Sequence, residues 1–260
     1  MHKLALGIEY DGSSYCGWQR QSHSPSVQAE LEQALSFVAS KPVALICAGR
    51  TDTAVHACEQ IAHFETEIDR SNRSWLLGAN CRLPKDIRIV WIQPVQLSFH
   101  ARFSAIARSY RYIIQNSAVP SALFHDKVCW EHRKLDDKLM HDAAQQLIGK
   151  HDFNAFRAAG CQAKSPVRTI EYLNIFRQGE FIYIDIKANA FLHHMVRNLA
   201  GSLMSIGMGD HDVGWLLQVL KSKNRCLAAK TASAAGLYFV RAFYPAEFVL
   251  QQVQRKPVLF

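Results

Sequence analysis

Residues 48–57 read AGRTDTAVHA, which sets one carboxylate, Asp52, between Thr51 and Thr53 with a guanidinium, Arg50, two positions earlier. An acid at that point has three readings. Gly49 and Asp52 are turn formers, and an Asp side chain bonds its own backbone. Arg50 and Asp52 could instead be a surface ion pair, which contributes little. The third reading is a catalytic carboxylate on a loop at a strand end, able to act as nucleophile or base.

Other segments mix basic, aromatic and small residues beyond what core packing needs. YDGSSYCGWQRQ (10–21) ends in Trp18, Gln19, Arg20 and Gln21, types suited to base stacking and phosphate contact. FHARFSAIARSYRY (99–112) interleaves cations, Arg108 among them, with Tyr110 and Tyr112, which share a strand face because they are two apart. HDFNAFRAAGCQAKSPVRTI (151–170) offers Arg157, Lys164 and Arg168. Each alone reads as solvated surface or packing; three together favour a nucleic-acid partner. In NAFLHHMVRN (189–198), His193 and His194 are expected on a helix, where adjacent side chains diverge. With no Cys or carboxylate set beside them, no metal is expected. Arg197, one turn on, needs an anion if half buried, and Asp52 is a candidate if the two halves of the chain face each other.

The charge balance agrees with a polyanionic partner. The 260 residues carry a formal net charge of +8, with Lys+Arg 30 against Asp+Glu 22. Residues 1–105 are balanced, so the whole surplus lies in the second part. No apolar run approaches the roughly 20 residues of a membrane span, and MHKLALGIEYDG turns polar too soon for a signal peptide. Seven cysteines without a CxxC pair fit reduced thiols in a cytoplasm.

The elements that must position these residues recur in one order. KLALGIEY predicts a strand. Ser24 or Ser26 can cap a helix with Pro25 in its first turn, and Val27, Leu31, Leu35 and Val38 follow at helical spacing. VALICA (43–48) and QIAHFE (60–65) predict strands, SWLLGANCRL a helix, and DIRIVWIQPV a strand. The second part predicts a strand at 109–115 and a helix over 135–149 with Leu135, Leu139, Ala143 and Leu147 on one face. Two strands turning at Gln178–Gly179, a helix from Phe191 and a closing strand GLYFVRAFY complete it. Two β-α-β-β-α-β runs predict an α/β (α+β) protein of two ferredoxin-like halves, 1–107 and 108–260. Their mainly antiparallel sheets are expected to form a central cleft.

YDGSSYCGWQRQ, AGRTD..VHA, LP.DI, FHARFSA..RSYRY, HDF..FRAAGCQ.KSPVRTI, NAFLHHMVRN and GLYFVRAFYP together resemble the TruA family of tRNA pseudouridine synthases, from about Lys3 to Pro245. The resemblance implies isomerisation of uridine to pseudouridine at positions 38, 39 and 40 of the tRNA anticodon stem-loop, by a cytoplasmic homodimer with no cofactor. It implies Asp52 as catalytic acid residue, Arg50 as loop arginine, Tyr110 as active-site tyrosine, Arg197 as buried arginine and Leu237 as lining of the uracil pocket. Arg20, Arg108, Lys164 and Arg168 are then candidate substrate contacts. The uridine must leave its stack to be reached, and Arg50 could fill the gap. One departure stands in the central motif: the family reads Ala-Gly after the aspartate, where this chain has Thr53 and Ala54. If that position takes positive φ, Ala54 either strains the backbone or changes the turn. An RNA chaperone built on the same sheets would explain the charge but not the loop acid with its arginines. A metal hydrolase lacks a ligand set.

Overall fold

In a computed structural model of the chain, which describes residues 1–252 and Pro257, the fold divides into two compact units. The first comprises Met1–Ile106 and the stretch from Tyr238 onward; the second is Ala107–Leu237. The expected halves, 1–107 and 108–260, differ in where the last strand goes. The cause is a parallel pairing of Tyr238 and Phe239 with His56 and Ala57, which returns the chain to the first unit. Residues 253–256 and 258–260, in the motif-free C-terminal stretch, lie outside the described residues.

In the first unit, β1 (His2–Tyr10) is the middle of an antiparallel sheet, pairing with β3 (His56–Thr66) on one side and β4 (Ile87–Val95) on the other. The short β2 (Ile46–Cys47) pairs antiparallel with His63 and Ala62 of β3. The order β4-β1-β3-β2 is that of a ferredoxin-like unit. VALICA yields only two paired residues. Its burial is made by Val43, Leu45, Cys47 and Ala48 without a continuous ladder, and Ile46 is exposed. Helix α1 (Val27–Ala39) begins where Ser26 accepts the Ala29 amide at 3.4 Å, so Pro25 precedes the cap and is not in the first turn. Val27, Leu31, Leu35 and Val38 are buried as their spacing predicts, and α1 packs on α2 (Asn72–Asn80).

In the second unit, β5 (Ala107–Asn116), β9 (Phe181–Ala188), β8 (Val167–Gln178) and β7 (Gly149–Asp152) form an antiparallel run in that order. A short β6 (Cys129–Glu131) adds in parallel to β5. Helix α3 (Asp137–Gln145) is shorter than predicted, because Asp136 caps it by accepting the Lys138 and Leu139 amides. Its inner face is Met140, Ala143 and Ala144; Leu139 is exposed, and Leu135 and Leu147 are buried outside the helix. Helix α4 (Met195–Gly207) is the core of this unit, since all its residues but Arg197 are buried. It starts four residues later than predicted, after His194 in left-handed backbone at φ 59. Helix α5 (Trp215–Ser222) follows. The whole is an α/β fold with mainly antiparallel sheets. Among the described residues, no helix is long and apolar enough to cross a membrane.

Candidate functional site

The ends of β1 and β3 fix the acid loop. β2 delivers the chain alongside β3: the Ala48 amide donates to Ile61 O at 2.7 Å, and Gln60 Nε2 to Gly49 O at 2.7 Å. Residues 50–55 must then cross the start of β3 before His56 enters it. Segment 11–18, leaving β1, braces them from the other side. The Trp18 amide donates to Thr51 O at 3.1 Å, the Ala54 amide to Tyr15 O at 3.2 Å, and Tyr10 Oη meets Thr51 Oγ1 at 2.7 Å. The approach is close. At Gly17, in left-handed backbone at φ 90, a Cβ would lie 2.6 Å from Thr51 O, and at Gly12 one would lie 2.0 Å from Val55 O. Gly17 and Trp18 also accept the first amides of α1, Val27 and Gln28, so helix, brace and acid loop are one hydrogen-bonded assembly.

Within that loop Thr51 and Val55 are buried, Asp52 is half buried, and Arg50 is exposed. The turn reading holds for the backbone, since the Val55 amide donates to Asp52 O at 3.2 Å. Ala54 takes φ 62, the left-handed region: the chain keeps the turn that suits glycine and accepts strain in it. The guanidinium groups of Arg50 and Arg102 both act on the Cys47 thiol, which burial pushes up to about 12.

Sequence reasoning missed much of the brace. His56 is buried, stacks on Tyr238 at 4.7 Å, and takes the Gly12 amide on Nδ1 at 3.1 Å, with Asp11 Oδ1 3.1 Å from the same nitrogen. Tyr15 Oη donates to Asp86 Oδ1 at 2.7 Å, and burial together with that carboxylate raises its pKa. The glycines and His56 lie inside the motifs at 10–21 and 48–57, and their burial was the missing information.

Other candidates differ from expectation. Trp18, assigned to base stacking, is 1% exposed and packs at 6.0 Å from Tyr10, so it is core. Arg20 is exposed, but its NH1 donates to Oε2 of the buried Glu32 at 3.1 Å, tying the brace to α1.

In the second unit, Tyr110 lies on β5, half buried, with its ring edge-on to Phe191 at 4.9 Å. Tyr112, two residues on, is fully buried and donates to Ser233 O at 2.8 Å. Arg108 donates to Asn189 O at 3.2 Å. Arg197 is half buried, its Nε donating to Ala232 O at 2.9 Å. Leu237 is buried at the end of a short 3-10 turn. Lys164 is exposed. Arg168 bonds the Ser165 and Val167 carbonyls at 2.9 and 2.6 Å, and its Nε is buried without a partner. Burial, then the charge of Arg157, lowers the Arg168 pKa. His193 and His194 precede the helix rather than diverge on it, and their rings lie 4.0 Å apart.

Residues 7–104 and 143–245 match the family model for tRNA pseudouridine synthase. The chain is 55% identical over 253 residues to tRNA pseudouridine synthase A of Hydrogenovibrio crunogenus, covering 97% of each protein. It is 53% identical to that of Photobacterium profundum over 98% of each. For Pseudomonas aeruginosa the identity is 51%, over 96% of this chain and 88% of the relative. Among solved structures, an archaeal box H/ACA Nop10–Cbf5 complex covers 91% of this chain and 48% of its own at 10% identity, with a TM-score of 0.36. Such matching across nearly the full length shows that this chain belongs to the tRNA pseudouridine synthase family of isomerases.

Proposed function

We propose that this chain isomerises uridine to pseudouridine at positions 38, 39 and 40 of the tRNA anticodon stem-loop, with Asp52 as the nucleophile or base. The reaction breaks the N1–C1′ glycosidic bond, turns the uracil and joins C5 to C1′. N1 gains a proton and C5 loses one, so no oxidant or energy source is consumed. The observation that carries the reading is the acid loop itself, a half-buried carboxylate on a turn braced by two backbone hydrogen bonds, with an exposed arginine two residues before it. Bracing of that kind holds a reacting group in place, which is how positioning lowers a barrier.

Arg50 has the length and exposure to enter the gap left by a flipped nucleotide. Tyr110 presents a ring to the uracil and a hydroxyl for proton transfer at C5. Arg197 is the half-buried arginine that completes the catalytic set, as the resemblance to the family implies. Leu237 lines the uracil pocket, and Arg20, Arg108, Lys164 and Arg168 contact the tRNA backbone. The enzyme works as a cytoplasmic homodimer without a cofactor. Release of tritium from tRNA labelled at uracil C5 tests the activity. No release from any tRNA carrying uridine at these positions overturns it, and sedimentation of the free protein as a monomer overturns the dimer.

A further inference from the structure

Beside the β2–β3 pair stands a turn that the chemistry so far leaves without a task. Residues 100–104 carry Phe103, 76% exposed, and an isolated exposed aromatic is ordinary. The turn beneath this one is not. His100 Nδ1 accepts both the Arg102 and the Phe103 amides, at 3.2 and 3.1 Å. The His100 amide donates to Ser104 Oγ at 3.0 Å, and the Ser104 amide donates back to His100 O at 2.9 Å. Tyr244 Oη donates to Ala101 O at 2.7 Å, while Phe99, wholly buried, wedges against Tyr244 and Phe248. The Phe103 ring stacks on His100 at 4.4 Å, and the Arg102 guanidinium lies over it at 5.4 Å.

The same turn is anchored to β3 at His63, opposite β2, the strand that leads into the acid loop. His63 Nδ1 takes the Ala101 amide at 3.1 Å, and His63 is paired in register with Ile46 of β2. A rigid, exposed ring with a cation beside it, held against the β2–β3 pair, has the composition of a base-stacking step. Every base has a π-face, and the cation suits the phosphates around it. Because the turn is already ordered, stacking on it need not immobilise a loop.

We propose that Phe103, flanked by Arg102, is a stacking platform for an unpaired base of the RNA substrate beside the strand pair β2–β3 that leads into the Arg50–Asp52 loop. The inference rests on the reading of the chain as a tRNA-modifying enzyme, so its test separates the two. Binding is measured in an Asp52→Asn background with an anticodon stem-loop carrying 2-aminopurine at successive positions, and turnover by tritium release in the wild-type protein.

Phe103→Ala should weaken binding about 5- to 150-fold, the range for one base–aromatic stack. It should abolish the fluorescence quench at one position and leave the salt slope of binding unchanged. Phe103→Tyr should bind within about threefold of the parent, the same order as an aromatic-for-aromatic exchange at a stack. Arg102→Ala should instead lower the slope of log affinity against log salt by about one. Phe103→Ala binding as tightly as the parent, or no rescue by tyrosine, overturns the platform and leaves the isomerase reading standing. So does a change of oligomeric mass in Phe103→Ala with RNA affinity intact, which would give the ring to a protein contact. Loss of binding in Phe103→Ala without tritium release from the wild type supports the platform and overturns the isomerase reading. A wild-type protein that binds no RNA overturns both.

Discussion

The acid loop at 48–55 and the basic loop at 157–166 are held by different kinds of bond. Thr51 and Ala54 are gripped through their backbone by a separate segment, 15–18, and Ala48 and Gly49 by β3. The basic loop largely holds itself: Arg157 reaches its own Cys161 carbonyl, the Cys161 amide donates to Ala158 O at 3.4 Å, and Arg168 bonds its neighbours' carbonyls. Its bonds beyond the loop join its two ends to the neighbouring turn, from the Arg157 amide to Asn154 O and from the Phe153 amide to Pro166 O, both at 3.1 Å. They also join its middle to His193, between the Ala158 amide and His193 O at 3.1 Å and between the His193 amide and Cys161 Sγ at 3.4 Å. The glycines show the same contrast. Gly17 and Gly160 both take positive φ, at 90 and 77, but only at Gly17 would a Cβ strike backbone; at Gly160 nothing lies within 4 Å. One loop is built for position and the other for presentation of charge. A reacting group misplaced by an ångström loses rate, whereas a phosphate contact tolerates adjustment.

The largest expected effect concerns the group being positioned. Asp52→Asn should lower turnover at least about 100-fold, the low end of acid–base contributions, with melting temperature and tRNA affinity near those of the parent. Turnover above about a hundredth of the parent's, by tritium release, would remove Asp52 from its role.

The two glycines put the contrast itself at risk. Gly160→Ala should cost about 1–2 kcal/mol, the strain of left-handed backbone alone. Gly17→Ala adds overpacking against Thr51 O and should cost about 2–5 kcal/mol, and turnover should fall with it because Asp52 is displaced. Chemical denaturation and tritium release on both variants check this. Equal losses would mean that the two loops are equally free to adjust.

An acid-sensitive clamp follows from His63. Its Nδ1 must stay unprotonated to accept the Ala101 amide, and burial, then the neighbouring His100 and Lys3 charges, lowers its pKa to about 4. His100 is lowered in the same direction by burial. A histidine whose folded pKa lies below its ordinary value of about 6.5 contributes stability above that value and loses it as pH falls towards the folded pKa. Unfolding free energy should therefore drop by up to about 2–3 kcal/mol between pH 6.5 and 4. In His63→Gln the slope over that window should flatten. A parallel pH dependence in variant and parent would show that the clamp titrates elsewhere.

How much of this could be read from the chain depended on the range of the contacts. Helix α1 was legible because Ser26 and the Val27, Leu31, Leu35 spacing act within a few turns. The acid loop was legible as a motif, through Asp52 and Arg50. Trp18 was misread because its type suits both stacking and core, and only its packing against Tyr10 decides between them. The length of β2 failed because an apolar run records burial and not pairing. The brace through Gly17, the His63 clamp and the Phe103 turn join residues 30 to 140 positions apart, which no local pattern encodes.

On the basic loop, and at Arg108 of β5, charge matters more than placement. Lys164→Ala and Arg108→Ala should each weaken tRNA binding alike across tRNA sequences and reduce the salt slope by about one for each phosphate no longer neutralised. Filter binding between low and moderate salt reads it. A sequence-dependent loss, or an affinity flat in salt, would contradict presentation of charge.

The smallest effect tests whether the acid loop carries strain by necessity or by accident. Ala54 sits at φ 62 with its amide bonded to Tyr15 O, so the backbone is held in the left-handed region from both sides. That geometry costs an L residue about 1–2 kcal/mol, and glycine would relieve it. Glycine also gains freedom in the unfolded chain, which subtracts about 0.4–1 kcal/mol. Ala54→Gly should therefore raise stability by up to about 1.5 kcal/mol, the difference of those two terms. Turnover should stay within about twofold, because the same hydrogen bonds keep Asp52 where it is. A loss of stability would mean that the alanine makes a contact worth more than its strain. A gain in stability with a clear loss of turnover would mean that the strained turn itself sets the position of the carboxylate.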